Sequence, residues 1–192
     1  VTGSGKTEVY MEMIDKVLSE GRQAIVLIPE IALTYQTVMR FYTRCGGRVS
    51  ILNSRMSQGE RYDQMERVKK GEVDIMIGPR SALFTPFERL GLIVIDEEHE
   101  PTYKSEQVPR FHARETAIER ARMEGASVVL GSATPSLEAF YAFECGRYQM
   151  LRLRNRTGKQ ALPEVYVADM REELQMGNRS ILSGKLREEI EK

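Results

Sequence analysis

Residues 92–99 read LIVIDEEH, so four apolar side chains lead directly into three acidic ones and a histidine. A run without a polar position is typical of a strand that is covered on both faces, as in a parallel sheet. Other short segments are also rich in Val and Ile and bounded by turn residues, and we predict strands at residues 24–28, 49–52, 73–77, 92–95, 127–130 and 165–168.

Helical patterns separate these strands. Glycine follows most of them, and Ser57 and Glu60 have the spacing of a capping box. We predict helices at residues 7–19, 35–44, 57–70, 112–124, 137–145 and 183–192. The alternation of strand and helix predicts an α/β fold with a mostly parallel sheet flanked by helices.

Composition excludes several classes of protein. The chain has 192 residues, with 28 Lys and Arg against 28 Asp and Glu, so a globally basic nucleic-acid coat is excluded while a local basic patch is not. Cys45 and Cys145 lie far apart, which excludes a four-cysteine zinc site and a disulfide framework. No apolar run is long enough to span a bilayer and no signal segment opens the chain, so we expect a cytoplasmic protein without membrane contact.

The chain opens with a phosphate-loop pattern. Gly5, Lys6 and Thr7 fit the end of G-x-x-x-x-G-K-[ST], whose first glycine would fall before Val1, so we expect the strand that feeds the loop to be truncated. Glycines at positions 3 and 5 let backbone N–H groups point at phosphate oxygens. The Lys6 ammonium suits the outer phosphates and the Thr7 hydroxyl suits Mg²⁺. A Gly-Ser turn at a helix start is the alternative.

Two acids follow the strand at 92–95, at the edge of the sheet where open α/β folds bind ligands. With a phosphate loop in the same domain, Asp96 would hold the Mg²⁺ shell and Glu97 would orient or deprotonate the attacking water. We expect His99 to reach the next strand end, 131–135, whose small hydroxyl residues can bond to a neighbouring loop. An acidic surface loop and a capped turn are the alternatives.

Polar and aromatic residues follow other strands. Thr34, Arg80 and Ser81 suit the phosphates of a nucleic-acid strand, and structural turns are the alternative. The loop beyond Asp96 interleaves aromatic and basic residues, which suits stacking on bases beside phosphate contacts, although such aromatics also pack locally. Its candidate DNA-binding residues are Tyr103, Lys104, Arg110, Phe111 and His112.

Several motifs together carry a family resemblance: GSGKT at 3–7, IPEIALT at 28–34, GPRSALFTPF at 78–87, DEEH at 96–99 and GSATPS at 131–136. In this order they resemble the first motor domain of the bacterial primosomal protein N′ (PriA) family, replication-restart DNA helicases of superfamily 2. The resemblance implies a RecA-like P-loop NTPase domain. It also implies ATP-driven 3′-to-5′ unwinding at stalled replication forks and reloading of the replicative helicase.

The resemblance implies roles for individual residues. ATP would be held by Gly3, Ser4, Gly5, Lys6 and Thr7, and Mg²⁺ by Thr7 and Asp96, with Asp96, Glu97 and Lys6 as catalytic residues. His99, Ser132 and Thr134 would couple hydrolysis to DNA, and residues 103–114 would sense DNA. Two positions depart from the family pattern: the loop has no Trp, and Asn53 stands where the family has His.

The resemblance also implies a domain layout. Residues 1–155 would form the ATP-binding domain, and residues 156–192 would connect it to a zinc module and a second motor domain outside this chain. The arginine that completes the ATP site would lie in that second domain, so this segment alone would be inactive and would hold no zinc. Partners would be single-stranded and forked DNA, helicase-loading and other replication-restart proteins, and single-stranded DNA-binding protein, in the bacterial cytoplasm. Another superfamily 2 translocase, a P-loop kinase and a non-catalytic binding module are the alternatives.

Overall fold

The computed structural model describes residues 4–155 and 164–191. The chain divides into two units, Val1–Thr157 and Gly158–Lys192. The strands of the first unit are Gln23–Leu27 (β1), Val49–Ile51 (β2), Ile75–Gly78 (β3), Leu90–Asp96 (β4) and Ser127–Gly131 (β5). They form one sheet in the order β2-β3-β1-β4-β5, and every neighbouring pair is parallel. The predicted parallel α/β fold is therefore confirmed.

Helices precede or follow the strands near the predicted bounds: Lys6–Ser19 (α1), Tyr35–Cys45 (α2), Gln58–Lys69 (α3), Ala113–Glu124 (α4) and Leu137–Glu144 (α5). The predicted capping box is present at α3. The Ser57 hydroxyl accepts the Glu60 N–H at 3.2 Å, and the Glu60 carboxylate accepts the Ser57 N–H at 2.7 Å. Local capping chemistry therefore marked this helix start correctly.

Side chains alternate between the two faces of the sheet and build a core on each. On one face, Ile25 of β1 and Ile93 of β4 pack with alanines of α4 and Val68 of α3. On the other face, Val26 and Val94 pack with residues of α1 and α2. Burial on both faces explains why the central strands lack polar positions.

The carboxyl ends of parallel strands share one edge of the sheet, so the segments after β1, β3, β4 and β5 emerge together. In the register of the sheet, Asp96 at the end of β4 lies beside Gly131 at the end of β5. β2 and β5 form the two outer strands, and Val128, Val129 and Leu130 of β5 are only partly buried. This shared edge collects most of the residues that the sequence singled out.

The second unit is described over residues 164–191, and residues 156–163 of the predicted connecting segment lie outside the described ranges. The predicted strand at 165–168 is wrong, because Val165, Tyr166 and Val167 are exposed and irregular. A strand is stabilised by pairing with another strand, and none of the ladders in the structure includes this segment. The unit instead contains Met170–Gln175 (α6), which was not predicted, and Gly184–Ile190 (α7), which agrees with the predicted helix at 183–192.

Candidate functional site

The phosphate-loop residues lie at the start of α1. Gly5 takes a left-handed backbone conformation (φ 83°) at the N-cap position, where a side chain would be strained. No side chain caps this helix start, so its first N–H groups and the helix dipole can serve an anion. Ser4, Gly5, Lys6 and Thr7 follow one another here, and Gly3 lies outside the described residues.

The Lys6 ammonium faces both predicted acids. Its Nζ lies 2.5 Å from Glu97 Oε1 and 3.6 Å from Asp96 Oδ1. All three side chains are partly buried, with 20–32% of their surface exposed. The phosphate loop and the acidic strand end therefore share one site, although they lie about ninety residues apart in sequence.

Glu97 has a strained backbone. Its φ of 48° makes it the one non-glycine residue of the described ranges in the left-handed region. Such a conformation costs about 1–3 kcal/mol and is common at functional sites. The turn directs Glu97 toward Lys6 while the next residue, Glu98, donates its N–H to the Gly131 carbonyl at 3.0 Å. Because the chain reverses at Glu97, the side chains of Glu97 and Glu98 reach different partners.

The donor set at this site fits Mg²⁺. Thr7 offers a hydroxyl and Asp96 a carboxylate, and hard oxygen ligands of this kind suit Mg²⁺ together with substrate phosphates. Within residues 4–155 and 164–191, no cluster of three or more His, Cys, Asp or Glu side chains could hold a metal ion. A Mg²⁺ ion held by Thr7 and Asp96 would also take oxygen ligands from the phosphates of a bound nucleotide.

A histidine joins the ends of β4 and β5. His99 Nδ1 lies 2.7 Å from Ser132 Oγ, and its Nε2 lies 3.5 Å from Thr134 Oγ1. The predicted hydrogen bond between these strand ends is present. His99 Nδ1 also lies 3.7 Å from Glu97 Oε2, so one of the three predicted coupling residues adjoins a predicted catalytic acid and the other two contact that histidine.

A buried network behind the acids was missed from the sequence. Glu98 is 3% exposed and accepts hydrogen bonds from the Ser136 N–H at 2.7 Å and the Ser136 hydroxyl at 3.0 Å. The Arg114 guanidinium lies 3.3 Å from Glu98 and donates to the Ser136 hydroxyl at 2.8 Å. The network ties the β4 turn to α4 and α5. The sequence offered one signal for this network: the DEEH motif contains a third acid, Glu98, for which the predicted chemistry had no role.

Tyr10 was also missed. It is 4% exposed, and its hydroxyl donates a hydrogen bond to Asp96 Oδ1 at 2.9 Å. Burial and the neighbouring Asp96 raise the pKa of Tyr10, which keeps the hydroxyl protonated as a donor. Its position one helical turn after Lys6 and Thr7 placed it on their side of α1, and this spacing was the available signal.

A cavity of about 830 Å³ lies over the ends of β1 and β3. The cavity is lined by three residues that were predicted from the sequence, Arg80, Ser81 and Phe111, together with Phe84. The two phenylalanine rings meet edge to face with centroids 5.1 Å apart. Arg80 donates from Nη1 to the carbonyls of Thr102 and Lys104 at 2.7 and 2.9 Å, so it also holds the loop that forms one wall.

The prediction that Tyr103 stacks on a base is wrong. Tyr103 is 1% exposed, and its hydroxyl donates to the carbonyl oxygens of Leu27 at 3.0 Å and Asp96 at 2.7 Å. Burial, with Asp96 and Glu97 nearby, raises the pKa of this hydroxyl. The ring therefore joins the ends of β1 and β4 inside the domain, because an aromatic ring that also offers a donor can satisfy two buried carbonyls.

The remaining DNA candidates lie on surrounding segments. Thr34 caps α2 by accepting the Thr37 N–H, and His112 caps α4 by accepting the Arg114 N–H. The backbone of Lys104 pairs with that of His112, and Arg110 lies on the exposed loop between them. Burial and the Arg114 charge lower the pKa of His112, which favours the neutral ring that the cap requires.

None of the described helices has the length and apolar character needed to cross a bilayer.

Comparison with known proteins identifies the class of this domain. Residues 1–142 match the DEAD/DEAH box helicase family. A curated relative, "Replication restart protein PriA" of Bacillus subtilis (strain 168), is 52% identical over 191 residues, covering 100% of this chain and 24% of its own length. The protein of the same name from Synechocystis sp. (strain ATCC 27184 / PCC 6803 / Kazusa) is 46% identical, covering 97% of this chain and 23% of its own length. The resemblance inferred from the motifs is thus confirmed, and the chain spans about a quarter of these relatives.

A solved structure supports the fold. The C-terminal part of the Fun30 ATPase domain has a TM-score of 0.51 with 12% sequence identity, covering 78% of this chain and 47% of that chain. At this identity the likeness concerns the fold alone. Together with the parallel five-stranded sheet, it confirms a RecA-like domain.

Proposed function

The chain belongs to the DEAD/DEAH box helicase family, and from this premise we propose that it is the ATP-binding motor domain of a DNA helicase that unwinds DNA 3′ to 5′ at stalled replication forks and restarts replication. The observation that carries the proposal is the contact of Lys6 with Glu97 and Asp96, which unites the phosphate loop with the acidic pair. The replication-restart names of its relatives support the biological setting. Because its relatives carry these names, another superfamily 2 translocase is not favoured.

Nucleotide binding is assigned to the start of α1. The family as a whole uses ATP and a divalent metal ion. In this chain the loop N–H groups and Lys6 bind the phosphates, and Gly3 and Ser4 complete the loop. Thr7 and Asp96 would supply oxygen ligands to Mg²⁺, and the bound ion would stabilise charge on the transferred phosphoryl group.

Hydrolysis is assigned to Glu97. Its carboxylate orients the attacking water and accepts its proton. Lys6 sits 2.5 Å from this carboxylate, and terminal phosphates would compete for the same ammonium group. Movement of Lys6 toward phosphate would free the Glu97 carboxylate to contact the attacking water, so nucleotide binding and the position of the base are linked through one side chain.

Coupling to DNA is assigned to two groups of residues. His99, Ser132 and Thr134 connect the Glu97 turn to the end of β5, so a change at either strand end reaches the other. Arg80, Ser81 and Phe111 line the cavity where a single strand would lie, held through its backbone and by stacking. Thr34, Lys104, Arg110 and His112 extend this surface.

The remaining parts of the proposal concern the whole protein. The isolated chain is inactive in hydrolysis because a second motor domain supplies the arginine that completes the ATP site, and such an arginine is worth roughly 10³–10⁵ in rate. The protein acts in the bacterial cytoplasm on single-stranded and forked DNA, with helicase-loading and other replication-restart proteins and with single-stranded DNA-binding protein.

The test is Lys6→Ala in the full-length protein. We expect ATP-dependent unwinding of forked DNA to be lost and hydrolysis to fall about 10²-fold or more, since a preorganised charge at the phosphates is removed, while fork binding stays measurable. Lys16→Ala is the matched control, because Lys16 lies exposed on the same helix. Unwinding that survives Lys6→Ala would contradict the proposed function.

A further inference from the structure

The Asp96 carboxylate is held on one side only. Within the described residues, its hydrogen bond and its ion pair both involve Oδ1, which accepts the Tyr10 hydroxyl at 2.9 Å and lies 3.6 Å from Lys6 Nζ. A hydroxyl bond to one oxygen fixes the rotation of the carboxylate plane. It thereby leaves Oδ2 as the oxygen that can face a metal ion.

Tyr10 lies on the helix that also begins with the nucleotide-binding residues. It follows Thr7 by three positions and Lys6 by four, so the three residues share one side of α1. Because Tyr10 is 4% exposed and packed in the core between α1 and the sheet, its hydroxyl has little freedom to move. One rigid helix therefore presents Thr7 and the group that orients Asp96.

Gly131 makes room for this contact. A Cβ atom at position 131 would lie 1.6 Å from the Tyr10 hydroxyl oxygen and 2.7 Å from its ring carbon Cζ. Gly131 pairs with Asp96 across β4 and β5, so it lies directly beside the carboxylate. Its φ is not in the left-handed region, so the need for glycine here comes from space and not from backbone conformation.

We propose that Tyr10 is a positioning residue that orients the Asp96 carboxylate for the metal–nucleotide complex, and that position 131 is glycine because the Tyr10 hydroxyl occupies the space of its side chain. The inference rests on the proposed function and adds to it a residue outside the motifs that carried the resemblance. Tyr10 touches neither nucleotide nor metal and acts through Asp96.

The test is Tyr10→Phe in the full-length protein, read by the Mg²⁺ concentration that gives half-maximal binding of a fluorescent ADP analogue. We expect a roughly 10-fold higher Mg²⁺ requirement, as is typical when a group that orients a metal ligand is removed. Binding of the analogue without Mg²⁺ should not change, because the phosphate loop is intact. A merely structural role would lower both kinds of binding together.

Tyr42→Phe is the matched control, since the Tyr42 hydroxyl donates to the Val49 carbonyl at 3.1 Å, away from Asp96. It should keep the wild-type Mg²⁺ requirement. Gly131→Ala should raise the requirement at least as much as Tyr10→Phe, and the double variant should be no worse than Gly131→Ala alone.

A wild-type Mg²⁺ requirement in Tyr10→Phe, which removes one oxygen and adds no atom that could clash, would overturn the inference and leave the proposed function standing. Absence of any Mg²⁺-dependent nucleotide binding in the wild-type protein would overturn both.

Discussion

A single ammonium group holds two acids at the centre of the site. Lys6 contacts Glu97 and Asp96, while Glu97 also adjoins His99 through its second oxygen. Glu97 therefore lies between Lys6 and a histidine that is hydrogen-bonded to Ser132. At the scale of residues, the proposed function predicts that activity depends on which of these two partners Glu97 keeps.

Glu97→Gln tests the assignment of the base. Glutamine keeps the shape of the side chain but cannot accept a proton, so in the full-length protein we expect the steady-state hydrolysis rate to fall by about 10²–10⁴-fold. Nucleotide should still bind, because the loop and Lys6 are untouched, and a fluorescent ATP analogue should be retained. Glu106→Gln, on the exposed loop that follows, should behave as wild type. Loss of binding together with hydrolysis would assign Glu97 to folding.

The sequence was sufficient to predict that Lys6, Asp96 and His99 lie at one edge of the sheet, and insufficient for the residues that hold them there. Charged and imidazole side chains at a strand end or helix start have few structural uses, which is why these positions could be predicted. Tyr103 was misassigned because an aromatic side chain in a basic loop looks the same whether its ring faces solvent or two buried carbonyls. Only the three-dimensional path of the loop shows whether the Tyr103 ring faces solvent or lies inside the domain.

At the scale of elements, the β4 turn is fastened to two helices. Glu98, Arg114 and Ser136 form a buried network that joins this turn to the N-terminal ends of α4 and α5. The side chains of Arg114 and Glu98 are 7% and 1% exposed. Loss of one partner would leave the other charge buried without compensation, which is costly.

Arg114→Met tests this fastening. We expect the free energy of unfolding to fall by about 3 kcal/mol, because Glu98 keeps its burial and loses its cation. Urea unfolding followed by circular dichroism measures the change. Arg122→Met on the same helix removes an exposed pair with Glu119 and should match wild type. Equal stability of the two variants would show that the buried pair contributes nothing.

Elements with regular patterns were predictable, and those that depend on a partner were not. β1, β4 and α3 followed from apolar runs and a capping box, which are local signals. The segment 165–168 has the composition of a strand, but it is exposed and joins none of the described strand ladders, and composition does not show whether a partner strand exists. Helix α6 was missed because only Asp169 at its N-cap marks its start.

At the scale of the whole domain, the acidic strand end and the cavity both lie at the carboxyl edge of the sheet. The Tyr103 hydroxyl donates to the Asp96 carbonyl, and Arg80 holds the residues on either side of Tyr103 through the carbonyls of Thr102 and Lys104. If DNA occupies the cavity as proposed, we expect this loop to connect it to Asp96 through Tyr103.

Phe111→Ala tests the cavity as a DNA site. A stacked base contributes about 1–3 kcal/mol, so we expect affinity for single-stranded DNA to fall at least 5-fold in the full-length protein. The dependence of affinity on salt should stay the same, because phosphate contacts are unchanged. Fluorescence anisotropy at several salt concentrations measures both. Phe140→Ala, which removes a partly exposed ring from α5, is the control and should bind as wild type.

Within residues 4–155, β5 is an outer strand of the sheet, so one of its sides has no described partner strand. An outer strand offers a row of backbone donors and acceptors along its open side. A strand that paired there would extend the sheet beside the acidic strand end, because Gly131 of β5 pairs with Asp96 of β4. Any segment that adds a strand on this side would therefore lie one strand away from Asp96.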